Sequence, residues 1–566
     1  MSGRNITEMS STIQTFSPRV TFFLRPDLPL VPWPSSPLVV VSAPNMTPFD
    51  NLATLSNMFL AVLAFVLAVL AAKYVYALRR RARLPPGPKT SWFGSNQLPK
   101  SHQWLTYAQW RRTYGDIVYI YVFGNPIIVL NSADAINDLF EKRSAIYSSR
   151  PMRTMVNELM GFNWLFSSMP YGPRWRKHRA LFHQHFHVES LPTVHPVILK
   201  EVHVLLRNLS DNPDGLFHHA RRSAASIVTM LSYGHQIAPE GDDYVTIADT
   251  ALSGLGKAGI WGTYLVDYFP FLKHIPMWMP GAGFKKQAWE WKQASQAMLN
   301  MPFKMVKERM AKGTAIPCFT TTLLEQFATT DRDSLDEELI KDVAAIAYAA
   351  GADTTVSAML SFFLAVTVYP EVQAKAQVEL DRVISRSRLP TFEDRADLPY
   401  IDCLVWECLR WNPVTPLGLA RTVTEDDEYR GYYIPKGTTM MPNVWAILHD
   451  EAMYPDPLRF NPDRFADEKR KKELGINEPP LAAFGFGRRL CPGRWLAVET
   501  IWITVATVLA VYKVTKARDE NGCEIQPDTE YTPTMLSRPK PFRCVFTPRS
   551  DIAAELVRQT DEENNY

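Results

Sequence analysis

Cys491 stands in the run Phe484-Gly485-Phe486-Gly487-Arg488-Arg489-Leu490-Cys491-Pro492-Gly493, just ahead of an apolar stretch, Trp495–Val511, that reads as a helix. Glycines admit positive φ and let a large flat ligand lie close to the backbone. A cysteine at a helix N-terminus with arginines nearby is expected to be held as a thiolate in preference to a thiol. One thiolate, with no second cysteine or histidine beside it, suits an iron that takes a single protein ligand, as in thiolate-ligated haem. The competing chemistry, a redox or nucleophilic cysteine, needs a resolving cysteine or a base, and neither is near it in the chain. The other cysteines, at 318, 403, 408, 523 and 544, make no CxxC pair and no zinc spacing, so they read as small buried hydrophobes.

A second candidate is Asp353-Thr354, an acid–alcohol pair within Ala350-Gly351-Ala352-Asp353-Thr354-Thr355. A threonine hydroxyl that bonds back to its own helix, next to a glycine, favours a local bulge where oxygen and water can sit. An acid beside it can deliver protons there. The plainer alternative is an N-cap or polar face, which apolar neighbours on both sides argue against. Two other patterns carry less. Gly254-Leu255-Gly256-Lys257-Ala258-Gly259 matches GxGxxG, but it follows a helical stretch, Val245–Leu252, and lacks an acidic partner at a strand end. Helix packing is expected there, not nucleotide binding. His178, His183, His185 and His187 are joined by no carboxylate or cysteine at ligand spacing other than Glu189, so an exposed, solvated cluster is expected.

These groups need a scaffold. The chain has 566 residues, is 46% hydrophobic and 21% charged, and carries a formal charge of +3. That composition excludes a disordered chain, a collagen-like repeat and a disulfide-rich scaffold, and its near balance gives no general pull toward nucleic acid. Beyond residue 90 most of the chain reads as helix. Asp336–Tyr369 is long, acid-capped and stopped by Pro370, and Glu371–Ile384 and Pro399–Trp411 follow it. Short extended pieces fall at Ile117–Leu130, with Gly124-Asn125 as the turn, and at Tyr429–Met441. The expected fold class is mainly α with small β-sheets, one large domain over 90–566.

The N-terminus is different. Residues 1–51 form a proline-rich leader with a glycosylation-type Asn5-Ile6-Thr7, expected to be lumenal or disordered; starts at Met46 or Met58 are alternatives. Residues 52–78 read as one transmembrane helix, since every residue from Met58 to Ala72 is apolar. Within it the 24 residues Leu55–Leu78, polar only at Ser56, Asn57 and Lys73, would span about 36 Å as a helix, enough for a hydrocarbon core. Arg79, Arg80, Arg81 and Arg83 follow, which places the C-terminal side in the cytosol by the positive-inside tendency. Residues 79–89 thus combine a basic stop-transfer segment with a stiff Pro85-Pro86-Gly87-Pro88 connector.

With these motifs in order, the sequence resembles the cytochrome P450 family over about residues 52–548. The family's haem loop, Phe-x-x-Gly-x-Arg-x-Cys-x-Gly, is filled by Phe484, Gly487, Arg489, Cys491 and Gly493. The resemblance implies haem b as cofactor, with Cys491 as axial thiolate. Trp175 and Arg179 match the helix that serves a haem propionate, and Arg421 and Arg150 fall where further propionate partners are often placed. It implies Thr354 and Asp353 as the pair that guides protons during oxygen activation. Glu407 and Arg410 match Glu-x-x-Arg, with Arg464 completing a structural ion-pair trio. The implied activity is an O2- and NADPH-dependent monooxygenase that hydroxylates or epoxidises a lipophilic small molecule. Its wording is closest to fungal members of secondary metabolism. The implied setting is the endoplasmic reticulum membrane, with NADPH–cytochrome P450 reductase as partner and cytochrome b5 as an optional further donor. The basic residues Arg174, Arg176, Lys177 and His178 lie on the expected reductase side. Segments 155–169, 260–268, 345–351, 416–420 and 533–536 are expected to line the pocket, and the apolar loop 275–280 to touch the membrane. Non-oxygenase rearrangement on the same fold, or haem binding without catalysis, are the alternatives; members of the first kind tend to lose the acid–alcohol pair, which this chain keeps.

Overall fold

The computed structural model describes residues 58–69, 83–91, 95–329, 336–467, 469, 472 and 480–562. The chain divides into two compact units, Met1–Ala77 and Leu78–Tyr566. In the first, the described part is the apolar helix Met58–Val69, whose side chains are exposed. It falls inside the anticipated 52–78 span. The rest of that span, the leader with Asn5, and Arg79–Arg81 lie outside the described residues.

In the second unit, the helices of eleven residues or more are α1 (Gln103–Tyr114), α2 (Pro173–His185), α3 (His195–Asp211), α4 (Leu216–Tyr233), α5 (Asp243–Gly259) and α6 (Gly283–Ala311). They continue with α7 (Phe319–Thr329), α8 (Glu337–Val368), α9 (Pro370–Ile384), α10 (Pro399–Trp411), α11 (Arg494–Val511) and α12 (Asp551–Glu562). The strands are short: β1 (Ile117–Val122), β2 (Asn125–Leu130), β3 (Arg421–Thr422), β4 (Asp427–Tyr429), β5 (Tyr432–Ile434), β6 (Thr439–Pro442), β7 (Tyr512–Lys516) and β8 (Cys544–Pro548). The unit is mainly helical with small sheets, as expected.

The central element is α8. Asp336 caps it, its carboxylate accepting from the Leu339 N–H at 2.5 Å, and Pro370 opens the next helix. An N-cap carboxylate satisfies one of the otherwise unpaired first-turn donors. Because α8 has no broad polar face, it is buried all round. Its first half packs with α2, α5 and α6 in one apolar cluster, and its second half with α3, α9, α10 and α11 in another. Gly351 sets a close crossing with α4, since a Cβ there would lie 2.4 Å from Val228 Cγ1. Helices α8 and α11 are long and apolar enough to cross a membrane, but 78% and 67% of their apolar windows are buried inside the fold.

The main sheet has the order β1-β2-β6-β3, with β1/β2 and β3/β6 antiparallel and β2/β6 parallel. The β1–β2 turn is one residue earlier than the sequence suggests. Phe123 and Gly124 carry the positive φ angles, 46° and 86°, the pattern of a two-residue hairpin turn. The proline connector runs along β1, where the Pro86 carbonyl accepts from the Tyr119 N–H at 2.8 Å. Gly87 is required there, because a Cβ would fall 1.8 Å from the Tyr119 oxygen.

The two minor motifs resolve differently. Gly254–Gly259 lies within α5: a Cβ on Gly254 would meet the Trp291 ring of α6 at 2.5 Å and one on Gly259 the Met535 sulfur at 2.4 Å, whereas one on Gly256 would meet nothing within 4 Å. For the histidines, His183 is exposed, and His185 and His187 are half-buried. His178 departs from the expected solvated cluster. It is buried and bonded to Asp342 Oδ2 at 3.1 Å and to the Arg174 carbonyl at 2.8 Å.

Candidate active site

One cavity of about 350 Å³ lies between α8 and α11, and Cys491, Phe484, Gly485, Arg489 and Gly493 all line it. The loop that carries Cys491 is closed by its own backbone, with the Cys491 N–H donating to the Phe484 carbonyl at 2.9 Å. Two of its glycines are conformational necessities. Gly485 has φ 90° and Gly487 φ 50°, and a Cβ on Gly487 would lie 2.2 Å from the Phe140 carbonyl oxygen. The Gly487 N–H is held by the Glu141 carboxylate. Glu141 is a contact that sequence reasoning missed, since nothing in its local pattern points to residue 487.

Burial pushes the Cys491 thiol up, against the opposing pull of the Gly493 N–H and the Arg179 and Arg494 cations. The arginines and the loop N–H groups favour the thiolate, the direction read from the sequence, while desolvation works against them. A bound metal cation reverses that balance, because a coordinating thiol is deprotonated outright.

Four arginines face this cavity: Arg150, Arg179, Arg421 and Arg489. Arg489 spends its guanidinium on three carbonyls, Ser148 at 2.8 Å, Met169 at 2.7 Å and Phe166 at 3.3 Å, and stacks 4.3 Å over Trp175. Arg150 bonds the carbonyls of Ser167 at 2.9 Å, Leu419 at 2.5 Å and Ala420 at 2.8 Å. Arg179 donates to the Leu490 carbonyl at 2.7 Å, and Arg421 to the Phe486 carbonyl at 2.5 Å. Burial, then mutual repulsion, pushes Arg489 down to about 8 and Arg421 down to about 9; burial alone takes Arg150 down to about 10. A guanidinium keeps its proton in a protein, so these depressions reflect a wall short of anions. Arg421 Nη1 is buried without any partner. Among the described residues no carboxylate lines the cavity. A flat dianionic macrocycle whose metal takes one thiolate fits this donor set: glycine floor, four cations and a single cysteine.

The acid–alcohol pair divides. Thr354 lines the cavity, and its Oγ1 donates to the Ala350 carbonyl at 2.7 Å. The anticipated back-bond is present, yet α8 continues as α-helix through it without a bulge. Asp353 does not line the cavity. Its Oδ1 is held by Arg221 at 3.2 Å and Arg538 at 3.6 Å, and Arg221 also bonds Asp249 at 2.7 Å.

Glu407, Arg410 and Arg464 come together as expected. Arg410 grips Glu407 with two bonds, 2.7 and 2.8 Å, and Arg464 adds one at 3.1 Å. The Asn461 N–H donates to the same carboxylate at 2.8 Å. The arginines also bond the carbonyls of Leu448, Pro457 and Pro455, so the trio pins the segment ahead of the cysteine loop.

Of the expected lining segments, residues from 155–169, 345–351, 416–420 and 533–536 reach the cavity. Segment 260–268 reaches it at no residue; Ile260 and Trp261 line an adjoining cavity of about 160 Å³. The sequence reading missed walls from α4 (Ala224, Ile227, Val228, Leu231) and α5 (Leu252, Leu255, Gly256). Their helical spacing was visible, but such stripes look the same whether they face core or cavity. In the basic patch, Arg176 and Lys177 are exposed, whereas His178 is buried and Arg174 pairs with Asp342 at 3.1 Å.

The comparisons agree with this geometry. The family model described as Cytochrome P450 matches residues 85–546. Cytochrome P450 monooxygenase 98 of Postia placenta is 44% identical over 509 residues, covering 89% of this chain and 97% of that protein. Cytochrome P450 monooxygenase 208 of the same fungus is 41% identical, over 88% of this chain and 97% of its own. Tryptamine 4-monooxygenase of Psilocybe cyanescens is 38% identical, over 88% and 99%. With Cys491 and its glycine-rich loop on one cavity wall and this similarity along nearly the whole chain, the protein belongs to the cytochrome P450 family of haem-iron monooxygenases.

Proposed function

We propose that this chain is an O2- and NADPH-dependent monooxygenase that hydroxylates or epoxidises a lipophilic small molecule in fungal secondary metabolism. The observation that carries the reading is the cavity itself: Cys491 on one wall, Thr354 on the α8 wall, and aliphatic side chains of α5, α8 and residues 535–536 around the space. Haem b bound there would supply oxygen activation, with Cys491 as its thiolate. The chain's own residues do the rest. Arg489, Arg179, Arg421 and Arg150 would take the propionates through guanidinium bonds, and Trp175 covers Arg489. Phe484 and the glycines of residues 485–493 would shape the pocket around the sulfur. Thr354 would hold a proton donor at its Oγ1, with Asp353 relaying protons from the Arg221–Asp249 side.

Electrons would come from NADPH–cytochrome P450 reductase, with cytochrome b5 as an optional further donor, docking at Arg176 and Lys177. The segment 52–78 is proposed as the single-pass anchor in the endoplasmic reticulum membrane, with the leader lumenal and residues 90–566 cytosolic. The exposed Met277 and Trp278 are suited to contact the same membrane surface. The test is turnover under 18O2 with reconstituted reductase. One labelled atom in the product and an absolute requirement for NADPH are expected; product formed without reductase or without label would refute the proposal in favour of a rearrangement.

A further inference from the structure

The monooxygenase reading leaves open which molecules enter, and the walls decide one property of them. We infer that the substrate is not a cation where it is bound, so that cationic amines are excluded. The inference rests on the proposed monooxygenase site but concerns only its charge selectivity.

Among the described residues, no Asp, Glu or Lys lines either the main or the adjoining cavity, and the charged groups that do are all arginines: Arg150, Arg153, Arg179, Arg421 and Arg489. The two spaces are continuous in lining, sharing Arg150, Leu165, Leu255, Leu419 and Met535. A molecule entering through the smaller one therefore meets no counter-charge for a cation on its way.

The acids on the surrounding elements are already committed. On α8, Asp353 is held by Arg221 and Arg538, and Asp342 by His178 and Arg174. On α5, Asp249 is bonded by Arg221. Asp267, beyond α5, is bonded by Arg153 at 2.7 Å and by the Met155 N–H at 2.8 Å. Swinging Asp267 toward a ligand would strand the half-buried Arg153, and swinging Asp353 or Asp249 would break the network the two share around Arg221.

Several of the aromatic faces on these walls are already engaged. Two indoles on these walls are covered by the protein's own cations, Trp175 by Arg489 at 4.3 Å and Trp261 by Arg153 at 5.0 Å. Phe182 packs against Phe186 at 4.6 Å and against Phe166 at 5.8 Å. Carbonyls that would solvate an ammonium, those of Ser167, Leu419, Ala420, Gly259 and Ile260, accept from Arg150 or Arg153. A buried, unpaired charge costs several kcal/mol. Even with the four cavity arginines taken up by haem carboxylates, the walls would offer a cation no carboxylate of their own. This separates the chain from what the name of its Psilocybe relative, a tryptamine monooxygenase, says of that protein.

The test uses isosteres that differ only in charge and carry no lone-pair nitrogen to bind iron. The holoenzyme is dialysed to equilibrium against 3,3-dimethylbutyl cyclohexanecarboxylate and against the choline ester of the same acid. The neutral ester is expected to bind at least about 100-fold more tightly. Equal or tighter binding of the choline ester overturns the inference. Leu255→Glu, which adds a carboxylate to both cavities, should narrow the ratio at least about tenfold; an unchanged ratio in a variant that still binds the neutral ester counts against it. The two readings fail separately. Binding of the cation defeats charge selectivity and leaves the oxygenase reading intact, whereas neutral-selective binding without NADPH-dependent oxygenation does the reverse.

Discussion

At the scale of single residues, the site combines groups that neighbourhood in sequence reveals with groups it conceals. Glu407 and Arg410, three apart on one helical face, were legible as a pair, and the structure buries both completely. Removing one member of a buried ion group leaves the others charged and unpaired. Glu407→Ala is accordingly expected to cost about 3–5 kcal/mol, read as a large fall in the thermal unfolding midpoint; a shift within error would deny the trio its structural role. Thr354→Ala should leave NADPH consumption near normal while product per NADPH falls and peroxide rises, and unchanged coupling would remove Thr354 from the proposed chemistry. The partners of Asp353 were not legible. Arg221 and Arg538 lie 132 and 185 positions away, and only the fold brings them to one carboxylate. The desolvation of Cys491 is hidden from the sequence for a similar reason, because burial depends on what packs over the loop and not on the loop's own residues.

At the scale of elements, boundaries were readable wherever a backbone rule acts locally. Asp336 and Pro370 delimit α8 because one satisfies orphan N–H groups and the other cannot continue a helix. The hairpin turn slipped by one residue because Phe123, not Asn125, takes the left-handed position beside Gly124. The cysteine loop is the element whose geometry is least tolerant. In Gly487→Ala, a Cβ would press on the Phe140 carbonyl at a positive φ. The expected result is a protein of near-normal helical circular dichroism with a sharply lower haem-to-protein ratio. Full haem content would show that the loop yields.

At the scale of the whole molecule, the mainly helical class followed from composition and periodicity, while the cavity did not. Its walls come from α4, α5, α8, α11 and loops far apart in the chain, and apolar stripes do not announce that they face a void. Global stability carries a pH signature of the same burial. Desolvation, with the Arg410 cation beside it, pushes the His449 imidazole down to about 3. Unfolded, it titrates near 6.5, so between those values the unfolded chain binds more protons. Stability is then fully present above pH of about 6.5 and falls as pH drops, by up to about 1.4 kcal/mol per unit from this group. His449→Phe, which keeps the stack on Trp445 at 4.1 Å, should flatten the unfolding midpoint against pH between about 6 and 4.5; parallel curves for the two proteins would contradict the assignment. The central claim, that one cysteine gives this molecule its chemistry, is tested most directly by the reduced, CO-bound difference spectrum of the full chain and of Cys491→Ala. The parent is expected to show the red-shifted Soret band of a thiolate-ligated haem and the variant to lose it, whereas a retained thiolate band in the variant would contradict the account.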